Sequence, residues 1–326
     1  MRPRPGIESD GVGRRRPVSA GAAHSRSGGA ARPGGPPMID FTAAHNARTY
    51  SGRRAHPSWS AHVTGLVDPR AAVVVDLGCG GGIYSRAWRE LGAERVIGVD
   101  SSAPILASAT AEHGADPQIT FHRGDATATG LPEACADVVF SRALVHHLPD
   151  LRAFAEEARR LLRPGGTLIV QDRTVEDVSQ PADVDLAAAE LAAPDLTAAH
   201  LTAAALPGDA RHVRGWFFEA FPRLLQVEAA RRPGAQELTE ALEEAGVHVE
   251  VSTLWEVRAE HPDRESLLAD VAARTGRSIL HELDDAELAR LVDVLRAQLP
   301  EGGVTEVDRW TLWTARTPQS SSSGQQ

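Results

Sequence analysis

The sequence predicts a doubly wound α/β fold, a seven-stranded sheet with helices on both faces. Three observations point to it. Short β-branched runs alternate with helical segments between residues 72 and 172. Those runs are apolar nearly throughout, as strands buried on both faces are. A glycine-rich turn, Gly78-Cys79-Gly80-Gly81-Gly82, joins the first run to the first helix. Alternation of this kind builds a parallel sheet covered by helices.

The elements follow in order. Residues 72–77 read as a strand and 84–91 as a helix; 95–99 as a strand and 103–113 as a helix. Strands at 118–122 and 136–140, a helix at 151–162 and a fifth strand at 167–171 complete the alternation. Past Asp172 it stops. Residues 183–206 are rich in Ala and Leu, and Pro194 splits them into two helical pieces. Residues 213–230 read as one helix carrying Trp216, Phe217, Phe218 and Phe221. Pro233 stands where a helix starts and Gly246 where it stops, which places a helix over 236–245. A sixth strand spans 247–257, helices span 264–274 and 285–298, and a seventh strand spans 303–315. The connection 172–232 is long for a strand-to-helix link. It reads as a helical lid over the C-terminal edge of the sheet, where doubly wound folds bind ligands. Its aromatic residues read as core sooner than as pocket lining, and Arg211 and Arg214 as a solvated face.

The chain has 326 residues, 42% of them hydrophobic and 24% charged, the composition of a globular protein with a real core. No apolar run approaches the roughly 18–20 residues that span a bilayer, and the basic N-terminus has no apolar stretch behind it, so the cytoplasm is the expected compartment. The two cysteines, Cys79 and Cys135, make no disulfide framework. All 34 basic residues are Arg, the mark of a GC-rich, bacterial genome. Residues 1–37 hold seven Arg against Glu8 and Asp10, a net of +5, which leaves about −15 of the total −10 on the rest (−10 minus 5). An acidic body is a poor partner for a phosphate backbone, so nucleic acid is not the expected substrate. Residues 1–37, rich in Gly, Pro, Arg and Ser, read as a disordered arm, and 317–326 as a frayed tail. Met38 is an alternative start, and 38–316 the folded domain.

The glycine turn decides what the sheet holds. Gly78, Gly80 and Gly82 let the backbone turn sharply and approach a ligand, and the helix behind them offers free N–H groups. About twenty residues on, Asp100 ends the second strand, placed to accept from ribose hydroxyls. A dinucleotide fingerprint requires Gly-x-Gly-x-x-Gly. Counting from Gly78 puts Ile83 at its last position, and counting from Gly80 puts Ser85 there. Asp76, just ahead of the turn, suits an ammonium group and would repel a pyrophosphate. An amino-acid nucleoside fits better.

Asp76-Leu77-Gly78-Cys79-Gly80-Gly81-Gly82 resembles the first motif of class I methyltransferases dependent on S-adenosylmethionine (SAM), of the small-molecule type found in ubiquinone and menaquinone biosynthesis. Val96-Ile97-Gly98-Val99-Asp100 resembles their second-strand motif. Gly124-Asp125-Ala126 with Leu131-Pro132 resembles the adenine segment, residues 136–141 the fourth strand, and residues 162–168 the turn into the fifth. All five come in the family's order over about a third of the chain. The resemblance implies a Rossmann-like fold, SAM as cofactor and a small-molecule methyl acceptor. It implies that Gly78, Cys79, Gly80 and Gly82 pass the methionine part, with Asp76 at its amino group. Asp100 and Ser101 would meet the ribose, Asp125 and Ala126 the adenine, and Ser141 and Arg142 the methionine end. Tyr50 and Arg53, in the segment before the first strand, would fold over the same site.

Methyl transfer from an activated donor asks chiefly for alignment and exclusion of water. A base is needed only where the acceptor loses a proton. His146 and His212 are the candidate catalytic residues, with His147 and Asp172 beside them in the reckoning. Adjacent histidines face different ways on a helix, and no cluster shows metal-ligand spacing. A nucleotide-cofactor oxidoreductase and a non-catalytic SAM-binding protein are the alternatives. The sequence names neither the acceptor nor the oligomeric state.

Overall fold

The computed structural model describes residues 54–186 and 206–319. Five parallel strands form the body of the sheet: β1 (Val73–Leu77), β2 (Arg95–Asp100), β3 (Ile119–Arg123), β4 (Ala136–Arg142) and β5 (Leu162–Asp172). β6 (Ala210–Arg211), β7 (Glu250–His261) and β8 (Val304–Arg316) complete it in the order β3-β2-β1-β4-β5-β8-β6, with β7 also paired to β8. β8 runs antiparallel to both β5 and β7. The order reverses between β1 and β4, and doubly wound sheets bind ligands at the carboxyl ends of strands where it does so.

Alternate residues of each central strand feed opposite faces. Val74, Val138, Phe140 and Ile169 pack against Trp59 of α1 (Pro57–Leu66) and Trp88 of α2 (Ile83–Glu90). Val75, Val139, Leu168 and Val170 pack against Phe154 of α4 (Leu151–Leu161) and Leu238 of α8 (Ala235–Glu244). α3 (Ala103–His113) lies on β2 and β3. Asp150 caps α4 by accepting from the Ala153 N–H, and Ser102 caps α3 from Ile105.

A second core stands beside the sheet. It joins α5 (Val175–Val178), α6 (Val213–Ala220) and α7 (Pro222–Arg231) to α9 (Arg264–Ala272) and α10 (Asp285–Gln298). Phe217, Phe218, Phe221 and Leu224 meet Leu267, Val271, Leu288 and Leu291 there. The aromatic residues of the insertion are therefore core.

Several expectations need correction. The described residues form eight strands, because the two-residue β6 pairs with Thr305 and Glu306 of β8; a bridge this short leaves no periodicity to read. The single helix expected over 213–230 is two, broken at Phe221 because Pro222 brings no N–H and starts a new first turn. No element is expected between the N-terminal arm and β1, yet α1 stands there, its Trp59 fully buried among Tyr84, Trp88 and Phe140. Thr317 and Pro318, read as the start of a frayed tail, are fastened to the turn of β5: Thr317 donates to the Gly166 and Arg163 carbonyls, and Pro318 accepts from Gly165. Tyr50, Arg53, the arm 1–37 and the helical pieces around Pro194 lie outside the described residues.

Candidate active site

The glycine turn hangs on the end of β2. The N–H groups of Gly78 and Cys79 both donate to the Val99 carbonyl, at 2.8 and 3.0 Å. Gly78 has φ +71°, and a Cβ there would strike the Leu144 side chain at 2.7 Å. Gly80 has φ +52° and nothing within 4 Å of where its Cβ would stand. The turn is thus closed against the β4 loop at Gly78 and open at Gly80, where a ligand can lie on bare backbone. Gly82 caps α2 in the left-handed conformation.

Two carboxylates bracket this opening. Asp76 is buried in β1 and accepts from the Ser85 hydroxyl at 2.6 Å. Burial, with Asp100 adding repulsion, pushes its carboxyl up to about 7. Asp100 accepts from the Gly80 N–H at 3.0 Å and the Ser102 N–H at 2.9 Å. Burial raises it also, against those backbone bonds. Neither is ion-paired among the described residues. Buried carboxylates without a cation are costly, and a ligand bearing an ammonium or sulfonium group would supply one. Cys79 lies between them. Burial drives its thiol well above its ordinary range and both carboxylates add to the shift, the reverse of what a nucleophile needs.

The other expected contacts are scattered along the same edge. Asp125 sits on an exposed turn and accepts from the Thr127 N–H and hydroxyl at 2.8 and 2.7 Å, beside the buried Ala126. Ser101 is exposed, its carbonyl accepting from Arg123. Ser141 is fully buried, and its Oγ has no hydrogen-bond partner among the described residues. Arg142 does not stand open. Its guanidinium forms two bonds to Glu256 of β7, at 2.8 and 2.9 Å, and stacks between Trp310 and Tyr84, 4.0 and 4.7 Å from their ring centres. Glu256 lies 114 residues away in sequence, so no local pattern announced it.

Of the candidate bases, the structure brings His146 and Asp172 together. His146 lies in the turn after β4, and its Nδ1 is 2.9 and 3.0 Å from the two Asp172 oxygens at the end of β5. His147 stacks on His146 at 4.0 Å; burial, and His146 beside it, hold it neutral by pushing it down to about 3. His212 is elsewhere, 1% exposed, with Nδ1 on the Pro181 carbonyl at 3.1 Å and its ring against Trp255. It is enclosed by these contacts, apart from the His146–Asp172 pair. Arg214, expected on a solvated face, is buried and paired with Asp308. The adjacency of β4 and β5 was the signal for the His146–Asp172 pair, since Arg142 stands opposite Gln171 in their register.

The segment that carries the glycine turn is similar to known proteins. A family profile described as "Methyltransferase domain" fits residues 75–170. The trans-aconitate 2-methyltransferase of Azoarcus sp. (strain BH72) is 42% identical over 105 residues, 31% of this chain and 39% of that protein. A malonyl-[acyl-carrier protein] O-methyltransferase of Pectobacterium atrosepticum is 34% identical over 110 residues, 33% of this chain and 42% of that one. The chain thus spans about two-fifths of the length of these curated relatives. Among solved structures, a candidate methyltransferase of an antibiotic biosynthesis pathway from Anabaena variabilis superposes with a TM-score of 0.57 at 19% identity, over 80% of this chain and 98% of that one. That likeness establishes the fold. Residues 75–170 of this chain thus match a methyltransferase domain.

Proposed function

We propose that the whole chain transfers a methyl group from SAM to a small-molecule acceptor. The observation that carries this reading is the buried Asp76 and the part-buried Asp100, lacking any described cation partner around an open glycine turn. When bound, SAM supplies a methyl group already activated on a sulfonium. Asp76 holds the ammonium, Asp100 the ribose hydroxyls, and Asp125 with the Ala126 N–H the adenine. Tyr50, Arg53, Ser101 and Ser141 belong to the same proposed set, and Arg142, held by Glu256, orients the end of β4.

The matched relatives are named for different acceptors, trans-aconitate and a malonyl carrier protein, while sharing only this segment. Acceptor choice therefore belongs to the rest of the chain. The insertion 172–232, whose described residues contribute to the second core, is our candidate lid over it. Isothermal calorimetry with S-adenosylhomocysteine tests the donor half. Binding should be micromolar, and Asp100→Ala should weaken it by roughly ten- to a hundredfold, since stranded buried hydrogen bonds cost about 1–3 kcal/mol. Unchanged affinity would remove Asp100 from the site.

A further inference from the structure

We propose that His146 and Asp172 form a proton-accepting dyad, so that the acceptor is a phenolic or enolic hydroxyl compound; this rests on the methyltransferase reading above. The dyad stands on three observations. Asp172 is 1% exposed and accepts from His146 Nδ1, from the Arg173 N–H at 2.7 Å and, more weakly, from the His146 N–H. Arg232 closes its remaining side at 3.5 Å. Burial alone would raise this carboxyl, but His146 and Arg232 hold it below the ordinary carboxylate range. An ionised carboxylate can only accept, so His146 Nδ1 must carry the proton that lies between them. In the neutral imidazole Nε2 then keeps the lone pair, and it has no hydrogen-bond partner among the described residues. Carboxylate fixing of the imidazole tautomer is the arrangement by which a histidine becomes a directed base.

The dyad also stands in the right place. His146 follows Leu144, whose side chain closes on Gly78, so the turn carrying the base abuts the turn proposed for the donor. His147, stacked alongside, is neutral and presents no competing cation, while Arg231 and Arg232 lie behind it. In the step this permits, the acceptor oxygen forms a bond to the methyl carbon as the carbon–sulfur bond breaks, its electron pair going to sulfur. The hydroxyl proton passes to His146 Nε2. A carboxylate acceptor has no proton to give, and the dyad would then be idle.

The test uses the full chain, uniformly labelled with ¹⁵N-histidine, beside His146→Gln and Asp172→Asn. Long-range proton–nitrogen spectra should show the neutral form of His146 protonated on Nδ1, and Asp172→Asn should shift that tautomer. Transfer is then assayed with catechol, benzoate and benzylamine. Catechol alone should be methylated, at a rate rising with pH. His146→Gln should lower that rate by at least a hundredfold and abolish the rise, with S-adenosylhomocysteine affinity changed less than threefold. A neutral His146 protonated on Nε2 instead of Nδ1 would overturn the dyad, as would preferred transfer to benzoate or benzylamine. If none of the three is turned over, the tautomer spectra decide. Failure to bind S-adenosylhomocysteine would overturn the methyltransferase reading itself and so stands apart.

Discussion

Asp76 shows how a binding residue can oppose the fold that carries it. Its carboxyl, raised to about 7, keeps a proton in the folded chain over a window from about pH 4 to 7 in which the unfolded chain has lost it. The folded state binds more protons there, so stability is lost as pH climbs through the window. Asp76→Asn keeps a partner for Ser85 and removes the charge. Its ligand-free melting temperature at pH 8 should exceed that of the parent chain by several degrees, while S-adenosylhomocysteine binding falls. A lower melting temperature would show that another group neutralises Asp76. Binding a cation also favours the ionised carboxyl, so the parent's affinity should climb between pH 5.5 and 7, and the Asn variant's should stay flat. This much of the site was legible in sequence, because the glycine turn and its two acids are local in the chain. Arg142 was not. Its partners Glu256, Trp310 and Tyr84 come from three other elements, and only the closed sheet brings them together.

At the scale of elements, the alternation from β1 to β5 was readable because buried parallel strands are short and apolar. The insertion was harder, since Phe217, Phe218 and Phe221 have the same spacing whether they line a pocket or fill a core. The structure places them opposite α9 and α10, and Phe217 is fully buried. Phe217→Ala should therefore cost roughly 3–5 kcal/mol of stability, with S-adenosylhomocysteine affinity unchanged in the folded fraction. Thermal melts beside calorimetry check both halves. A stable variant would mean that the second core repacks around the loss.

Across the whole molecule, charge is buried unevenly. Asp172, Glu228, Glu306 and Asp308 are enclosed with Arg173, Arg214, Arg232, Arg258 and Arg277 where β8 meets the helices. Burial would raise these acids, yet the guanidiniums, preceded by His146 at Asp172, hold all four below their ordinary range. Their contribution to stability is present above about pH 4 and is lost as pH falls toward their folded values. The sign is opposite to that of Asp76. Hydrogen exchange at pH 3 should find α6, α7, α9 and α10 opening before β1 to β4; simultaneous opening would mean that the two cores share one transition. The same uneven plan bears on how the chain is made. β8 joins the two cores, pairing with β5 through one half and with β6 through the other, while β7 runs along its length. It is also the last described element to leave the ribosome. Until it emerges, β5 has an open edge and β7 lacks its only described strand partner, so the sheet and the helical layer must wait as separate, unsealed halves. Synthesis can shape each of them in turn, but the molecule closes only at its final strand.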